Sequence, residues 1–103
     1  MTPADLQAFL QGLLTAWSIN GAALACSAMD GGVTGSISRA GSPTVHTRRM
    51  QARFGIVWQV ETEGSRPRAH TSAQGAIRSL GAALAPERAV GRVMFIGPND
   101  GAP

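Results

Sequence analysis

The sequence predicts an α+β fold: a two-layer sandwich in which a mixed sheet of four to five strands carries two helices on one face. Two amphipathic helical patterns, near the start of the chain and near residue 80, flank segments that alternate apolar and polar residues. The predicted element order is α-β-β-(β)-β-α-β. A length of 103 residues fits one domain, which we expect to span 1–97 and to leave 98–103 as a flexible C-terminal tail.

The first helix has the clearest pattern in the sequence. Thr2 is suited to the N-cap and Pro3 to the first helical position. Large apolar residues then recur at helical spacing, which predicts a single buried stripe. Its members are Leu6, Phe9, Leu10, Leu13, Leu14 and Trp17. The pair Asn20-Gly21 is expected to end the helix.

Two short strands joined by a tight turn are predicted next. Residues 22–29 are apolar but small, and in 33–38 apolar residues or glycine alternate with serine and threonine. The glycines after Asp30 tolerate the positive φ that such a turn needs. Helix, strand, "DGG" turn and strand together resemble the start of Roadblock-type domains as far as Ser38, a resemblance at the level of fold that implies no site residue.

The segment 42–53 can be interpreted in two ways. As a strand it has no cleanly apolar face, because arginines and a histidine alternate with its apolar residues. As a helix it would begin well at Ser42-Pro43, but only Met50 and Phe54 pair at i+4. We prefer an edge strand, where arginine side chains discourage pairing with another sheet.

A half-buried strand is predicted over 54–62 and a second helix over 72–85. The strand's buried face would carry Phe54, Ile56, Trp58, Val60 and Thr62. Thr71 and Gln74 stand at capping-box spacing before the helix, and Pro86 stops it. The helix's buried stripe would be Ala73, Ile77, Leu80 and Leu84. We expect five side chains to lie deepest in the core: Leu10, Leu13, Ile56, Trp58 and Leu80.

Residues 92–96 are apolar on both faces and predict a strand at the centre of the sheet. A right-handed crossover through the second helix would make this strand a parallel neighbour of the strand at 54–62.

The predicted order leaves the second face of the sheet without a covering layer. The side chains expected there are Met29, Val57, Met94 and Ile96. An open apolar face is often a partner surface, so the leading hypothesis is a small, non-enzymatic protein-binding module. We expect a homodimer or a larger protein partner. The size and the strand-helix-strand ending also look like those of small phage or mobile-element accessory proteins, many of which act by occupying a partner's surface.

Nucleic-acid binding is the alternative, because all nine basic side chains are arginine and they concentrate between residues 39 and 78. The candidate phosphate contacts are Arg48, Arg49, Arg53, Arg66 and Arg68. A charge run is more often a solvated face, however, and the net charge is only +3. No nucleic-acid-binding motif accompanies the arginines.

A small enzyme is the second alternative, with Cys26 as nucleophile, His46 or His70 as base and Asp30 as orienting group. A packed core thiol is the preferred interpretation of the single cysteine.

The sequence also favours the absence of a metal or organic cofactor. The two histidines stand at no ligand spacing, and neither a dinucleotide fingerprint nor a phosphate loop is present. The lone cysteine, the lack of a cationic segment before the first apolar stretch and the lack of a long apolar run predict a cytoplasmic protein without a membrane segment.

Overall fold

The computed structural model describes residues 1–86 of the chain. Within these residues, five strands form one antiparallel sheet in the order β1-β2-β3-β4-β5, so each strand pairs with its neighbour in sequence. An α+β fold with two helices is confirmed. The elements in chain order are α1 (Pro3–Ala16), β1 (Ala23–Met29), β2 (Gly32–Ser38), β3 (Val45–Ala52), β4 (Gly55–Thr62), β5 (Arg68–His70) and α2 (Ala73–Leu84).

Helix α1 begins at a capping box. The Asp5 amide donates to Thr2 Oγ1 at 3.1 Å, and the Thr2 amide donates to Asp5 Oδ2 at 2.9 Å. The buried residues of α1 are Leu6, Leu10 and Leu14, and the helix lies on β1 and β2. The predicted N-cap is therefore confirmed, and the predicted stripe is fully buried on one side only, since Phe9, Leu13 and Trp17 are partly buried.

Glycine 35 lets α1 approach the sheet closely. A Cβ built at Gly35 would lie 3.1 Å from Leu10 Cδ1, 3.1 Å from Cys26 Sγ and 3.2 Å from Leu6 Cδ2. These separations are tighter than ordinary van der Waals contact. A side chain at this position would therefore push the helix away from β2.

Helix α2 begins one residue later than the capping pattern predicts. The Gly75 amide donates to Ser72 Oγ at 3.1 Å, which makes Ser72 the N-cap in place of Thr71. The predicted stripe is wrong at Ala73, which is exposed, and at Ile77, which is half-buried. The buried positions are Gly75, Ala76, Leu80 and Leu84, so small residues let the start of the helix approach the sheet.

The β1–β2 turn is confirmed at Asp30-Gly31, where Met29 pairs with Gly32 and Gly31 has a φ of 78°. Gly32 has a different role. A Cβ at Gly32 would overlap the backbone carbonyl of Arg49 on β3. Only glycine fits at this point of the β2–β3 pairing.

Residues 45–52 form a strand, but the expected edge position is wrong, since β3 lies between β2 and β4. Val45 and Thr47 are buried beneath the helices. Arg49 also faces the helices, and its guanidinium lies 5.8 Å from the centroid of the Trp58 ring. The long stem of an arginine can thus occupy a central strand when an aromatic ring lies beneath its charged end.

Strand β5 was not predicted, since the sequence around it indicates a turn. It pairs with β4 from Trp58 to Val60 only, and it bounds the described sheet on the side opposite β1. The predicted strand at 92–96, its parallel pairing with β4, and the 98–103 tail all lie outside the described residues.

The core lies between the two helices and one face of the sheet. Of the five residues expected to be deepest, Leu10, Trp58 and Leu80 are buried, whereas Leu13 and Ile56 are only partly so. Phe9 packs against Trp58 with the two ring centroids 5.3 Å apart. The remaining buried apolar residues are Leu6, Leu14, Val33, Ile37, Val45, Val60, Ala76 and Leu84.

Candidate functional site

The sheet has two contrasting faces, called here the inner face, which the helices cover, and the outer face, on which no helix of residues 1–86 packs. Strand register puts Met29, Gly32, Met50 and Val57 opposite one another across β1 to β4. Met29, Met50 and Val57 form what we call the methionine row. All three are half-buried and belong to the outer face. The expected neighbours Met29 and Val57 are thus brought to one line, while Met94 and Ile96 lie outside the described residues.

Phe54 lies at the same end of the sheet and is 96% exposed. The sequence pattern predicts Phe54 in the buried face of the strand at 54–62, and that prediction is wrong. Ala52 pairs with Gly55, so Arg53 and Phe54 form a two-residue turn between β3 and β4. Gly55, with a φ of 130°, follows directly. The glycine after Phe54 is the sequence signal that could have placed this phenylalanine in a turn.

The rest of the outer face is small on one side and charged on the other. On β1 and β2 it carries only small side chains: Ala23, Ala25, Ser27, Thr34, Ser36 and Ser38. On β3 and β4, Arg48 Nη1 donates to Gln59 Oε1 at 3.1 Å and to Glu61 Oε1 at 3.2 Å. His46 Nε2 lies 3.5 Å from Glu63 Oε2. Both signs of charge are therefore present on this face.

The arginines expected to form one nucleic-acid surface are separated by the fold. Arg48 lies on the outer face and Arg49 on the inner face, because alternate residues of a strand point to opposite sides. Arg53 is exposed in the β3–β4 turn. These three neighbours in sequence do not share a surface.

Arg66 and Arg68 lie at the opposite end of the sheet from Arg53. Together with Arg78 of α2 they line an open groove of about 890 Å³ between β4, β5 and α2. We call it the arginine groove. The sequence alone does not indicate Arg78 as a site residue. An arginine on a helix is usually solvated, and the sequence does not show which strand lies next to it.

The structure does not bring Cys26 near either histidine. Cys26 lies on the inner face beside Leu6 and Leu10 of α1, where burial raises the pKa of its thiol. His46 is on the outer face of β3. His70 is on β5, four strands away, which at about 4.8 Å per strand is about 19 Å across the sheet. A thiol nucleophile activated by histidine is not assembled in this arrangement.

Within residues 1–86, no group of three or more His, Cys, Asp or Glu side chains could hold a metal ion. None of the helices in the described part of the chain combines the length and the apolar character needed to cross a membrane. No family model, no curated protein and no solved structure matches the chain. The resemblance to Roadblock-type domains therefore stays an interpretation of the sequence.

Proposed function

We propose that the chain is a non-enzymatic protein-binding module that forms a homodimer, two copies packing their outer sheet faces together across a two-fold axis. The observation that carries the proposal is that the methionine row and the exposed Phe54 lie at the same end of the sheet. Interface cores are enriched in aromatic residues and methionine. A two-fold pair is also the commonest oligomer.

The small side chains of β1 and β2 support a face-to-face arrangement. Sheets pack at about 10 Å when side chains of modest size fill the space between them. Across a two-fold axis, the small residues of one copy can receive the methionine row of the other. Arg48 of one copy can likewise approach Glu61 or Glu63 of the other, so the charged part of the face is complementary to itself.

The area of the outer face sets the expected strength. The four long strands, β1 to β4, at about 4.8 Å per strand and about seven residues of about 3.3 Å each, give a face of about 450 Å² per copy. Burial of Phe54 adds at least about 150 Å² per copy. The sum over two copies is about 1,200 Å², the lower limit of stable specific interfaces. We therefore expect a dimer that dissociates on dilution.

Solution mass as a function of protein concentration tests the proposal. Sedimentation equilibrium should give a dimer for the unaltered chain and a monomer for Val57→Glu and for Phe54→Ser, with the circular dichroism spectrum unchanged. Ala8→Glu is the matched control, since Ala8 is exposed on α1 and far from the outer face, and this variant should remain a dimer. The proposal would be contradicted if the unaltered chain were a monomer at every concentration. It would also be contradicted if Val57→Glu and Phe54→Ser left the dimer intact.

A cytoplasmic setting is part of the proposal, because the single cysteine has no partner for an internal disulfide and a reducing compartment keeps such a thiol free. No catalytic step is included, since the protonated form of Cys26 is favoured and the thiol lies apart from both histidines.

A further inference from the structure

Within residues 1–86, the arginine groove gathers three guanidinium groups that have no carboxylate partner. Arg66, Arg68 and Arg78 are all exposed and all line it. Among residues 1–86 the ion pairs are His46 with Glu63 and Arg48 with Glu61, so none of the three groove arginines has a carboxylate partner there. Three like charges around one concave surface repel one another unless an anion neutralises them.

The start of α2 adds to the positive character of the groove. Gly75, in the first turn of α2, lines it, and that turn contains no acidic residue. The amides of a helix start carry partial positive charge, and the Gly75 amide contributes to it while donating its hydrogen bond to Ser72 Oγ. The groove wall thus combines guanidinium groups from β5, from the loop before it and from α2 with the positive end of a helix.

Hydroxyl groups and a histidine supply further polar contacts. His70 of β5 and Ser79 of α2 are hydrogen-bonded to each other through Nε2 and Oγ, which ties the strand to the helix inside the groove. Thr62 and Ser65 also line it. His70, Ser79 and Thr62 are held in place by strands and a helix, whereas Ser65 lies in the loop before β5.

The apolar residues and the volume of the groove indicate which class of anion it can bind. Apolar atoms come from Val60, Pro67, Ala82 and Ala83, and none of the lining residues in the described part of the chain is Phe, Trp or Tyr. A nucleic-acid strand would gain little by stacking its bases here. A volume of about 890 Å³ lies within the range of small-molecule sites, about 300–1,000 Å³.

We infer that the arginine groove binds a small phosphorylated molecule, with the phosphate group held by Arg66, Arg68 and Arg78 and the organic part against the apolar lining. Arginine suits this ligand because its planar fork of N–H donors matches two phosphate oxygens at once. The site is independent of the proposed dimer face, since it lies between the inner side of the sheet and α2.

Amide chemical shifts of the ¹⁵N-labelled full chain, followed during separate titrations with inorganic pyrophosphate, adenosine monophosphate and a single-stranded oligonucleotide, test the inference. We expect pyrophosphate and the mononucleotide to shift the amides of β5 and of the first turn of α2. Arg68→Gln and Arg78→Gln should each weaken binding about tenfold, the value of one charge-assisted hydrogen bond. Arg53→Gln is the matched control, since it removes one exposed arginine at the other end of the sheet, and it should leave the affinity unchanged.

Three results would overturn the inference. One is no shift with either small phosphate up to about 10 mM, a concentration that reveals even millimolar affinity. A second is equal weakening by Arg53→Gln, which would indicate non-specific attraction to a cationic protein. The third is binding of the oligonucleotide alone, which would make the groove a nucleic-acid surface. Each variant's melting temperature should match that of the unaltered chain, so that lost binding is not lost folding.

Discussion

The inner and outer faces of the sheet are built from the same four long strands, yet they differ in almost every physical respect. The inner face presents Val33, Ile37, Val45, Trp58 and Val60, all buried under two helices. The outer face presents small residues, a charged network and the methionine row. Because alternate residues of each strand supply the two faces, one register fixes both. The inner face stabilises the fold, whereas no helix of residues 1–86 packs on the outer face.

The largest expected effect comes from the inner face. Leu10→Ala should lower the free energy of unfolding by about 2–5 kcal/mol, because it leaves a cavity where α1 meets Gly35. Leu13→Ala, on the half-buried side of the same helix, should cost clearly less. Urea denaturation of both variants measures the difference. Equal losses would show that α1 does not dock through Leu10 as described.

A second test uses the glycines of α2. Gly75→Ala should cost about 1–3 kcal/mol, because the added Cβ would lie 2.9 Å from His70 Nδ1. Gly81→Ala is the matched control in the same helix, where the Cβ would meet the Trp17 ring at an ordinary 3.5 Å. It should stabilise the chain by about 0.5–1 kcal/mol, since alanine is the better helix former. Thermal melts that rank the two variants the other way would contradict the packing of β5 on α2.

The inner face also contains one polar exception. Thr47 is fully buried, and its hydroxyl has no hydrogen-bond partner among residues 1–86. Thr47→Val should therefore raise the free energy of unfolding by about 1 kcal/mol, whereas Thr47→Ser, which keeps the hydroxyl and loses a methyl group, should lower it. If valine instead destabilises the chain in urea denaturation, the hydroxyl has a partner that the described residues do not include.

The smallest expected effect is at the start of α1, on the rim of the inner face. Hydrogen bonds from Thr2, the backbone amide first and the side chain second, lower the pKa of Asp5 below its ordinary value. A carboxylate with a lowered pKa stabilises the folded chain above its unfolded pKa, and this contribution is lost as the pH falls below about 4. Asp5→Asn should reduce that pH dependence in thermal melts recorded between about pH 6 and pH 3. An unchanged pH profile would show that the capping box does not persist in solution.

The elements that the sequence predicts well are those whose apolar pattern alone distinguishes helix from strand, without information about tertiary contacts. Helix α1 has a cap and a full stripe, and β4 has period-two alternation ending in Trp58 and Val60. Strand β3 was ambiguous because its arginines are accommodated by partners that only the fold supplies, the Trp58 ring for Arg49 and Glu61 for Arg48. Local pattern contains no information about such partners.

The same limit applies to the candidate sites. Met29 and Val57 were predicted for one face because strand alternation is a local property, and the register places them in line. Phe54 was assigned to the wrong surface, because a shift of one residue at a strand end decides between core and turn. The arginine groove could not be predicted, since Arg68 and Arg78 meet only after α2 has folded back over β5.

The meander order of the sheet has a consequence for the speed of folding. Within residues 1–86, each strand pairs with the next strand in the chain, α1 packs on the two strands that follow it, and α2 packs chiefly on the two that precede it. Contacts between residues near in sequence require only short loops to close, so little chain entropy is lost before each contact forms. The chain should fold faster than β-rich domains of the same size with distant strand pairings. Its first hairpin and α1 can associate before the C-terminal half has left the ribosome.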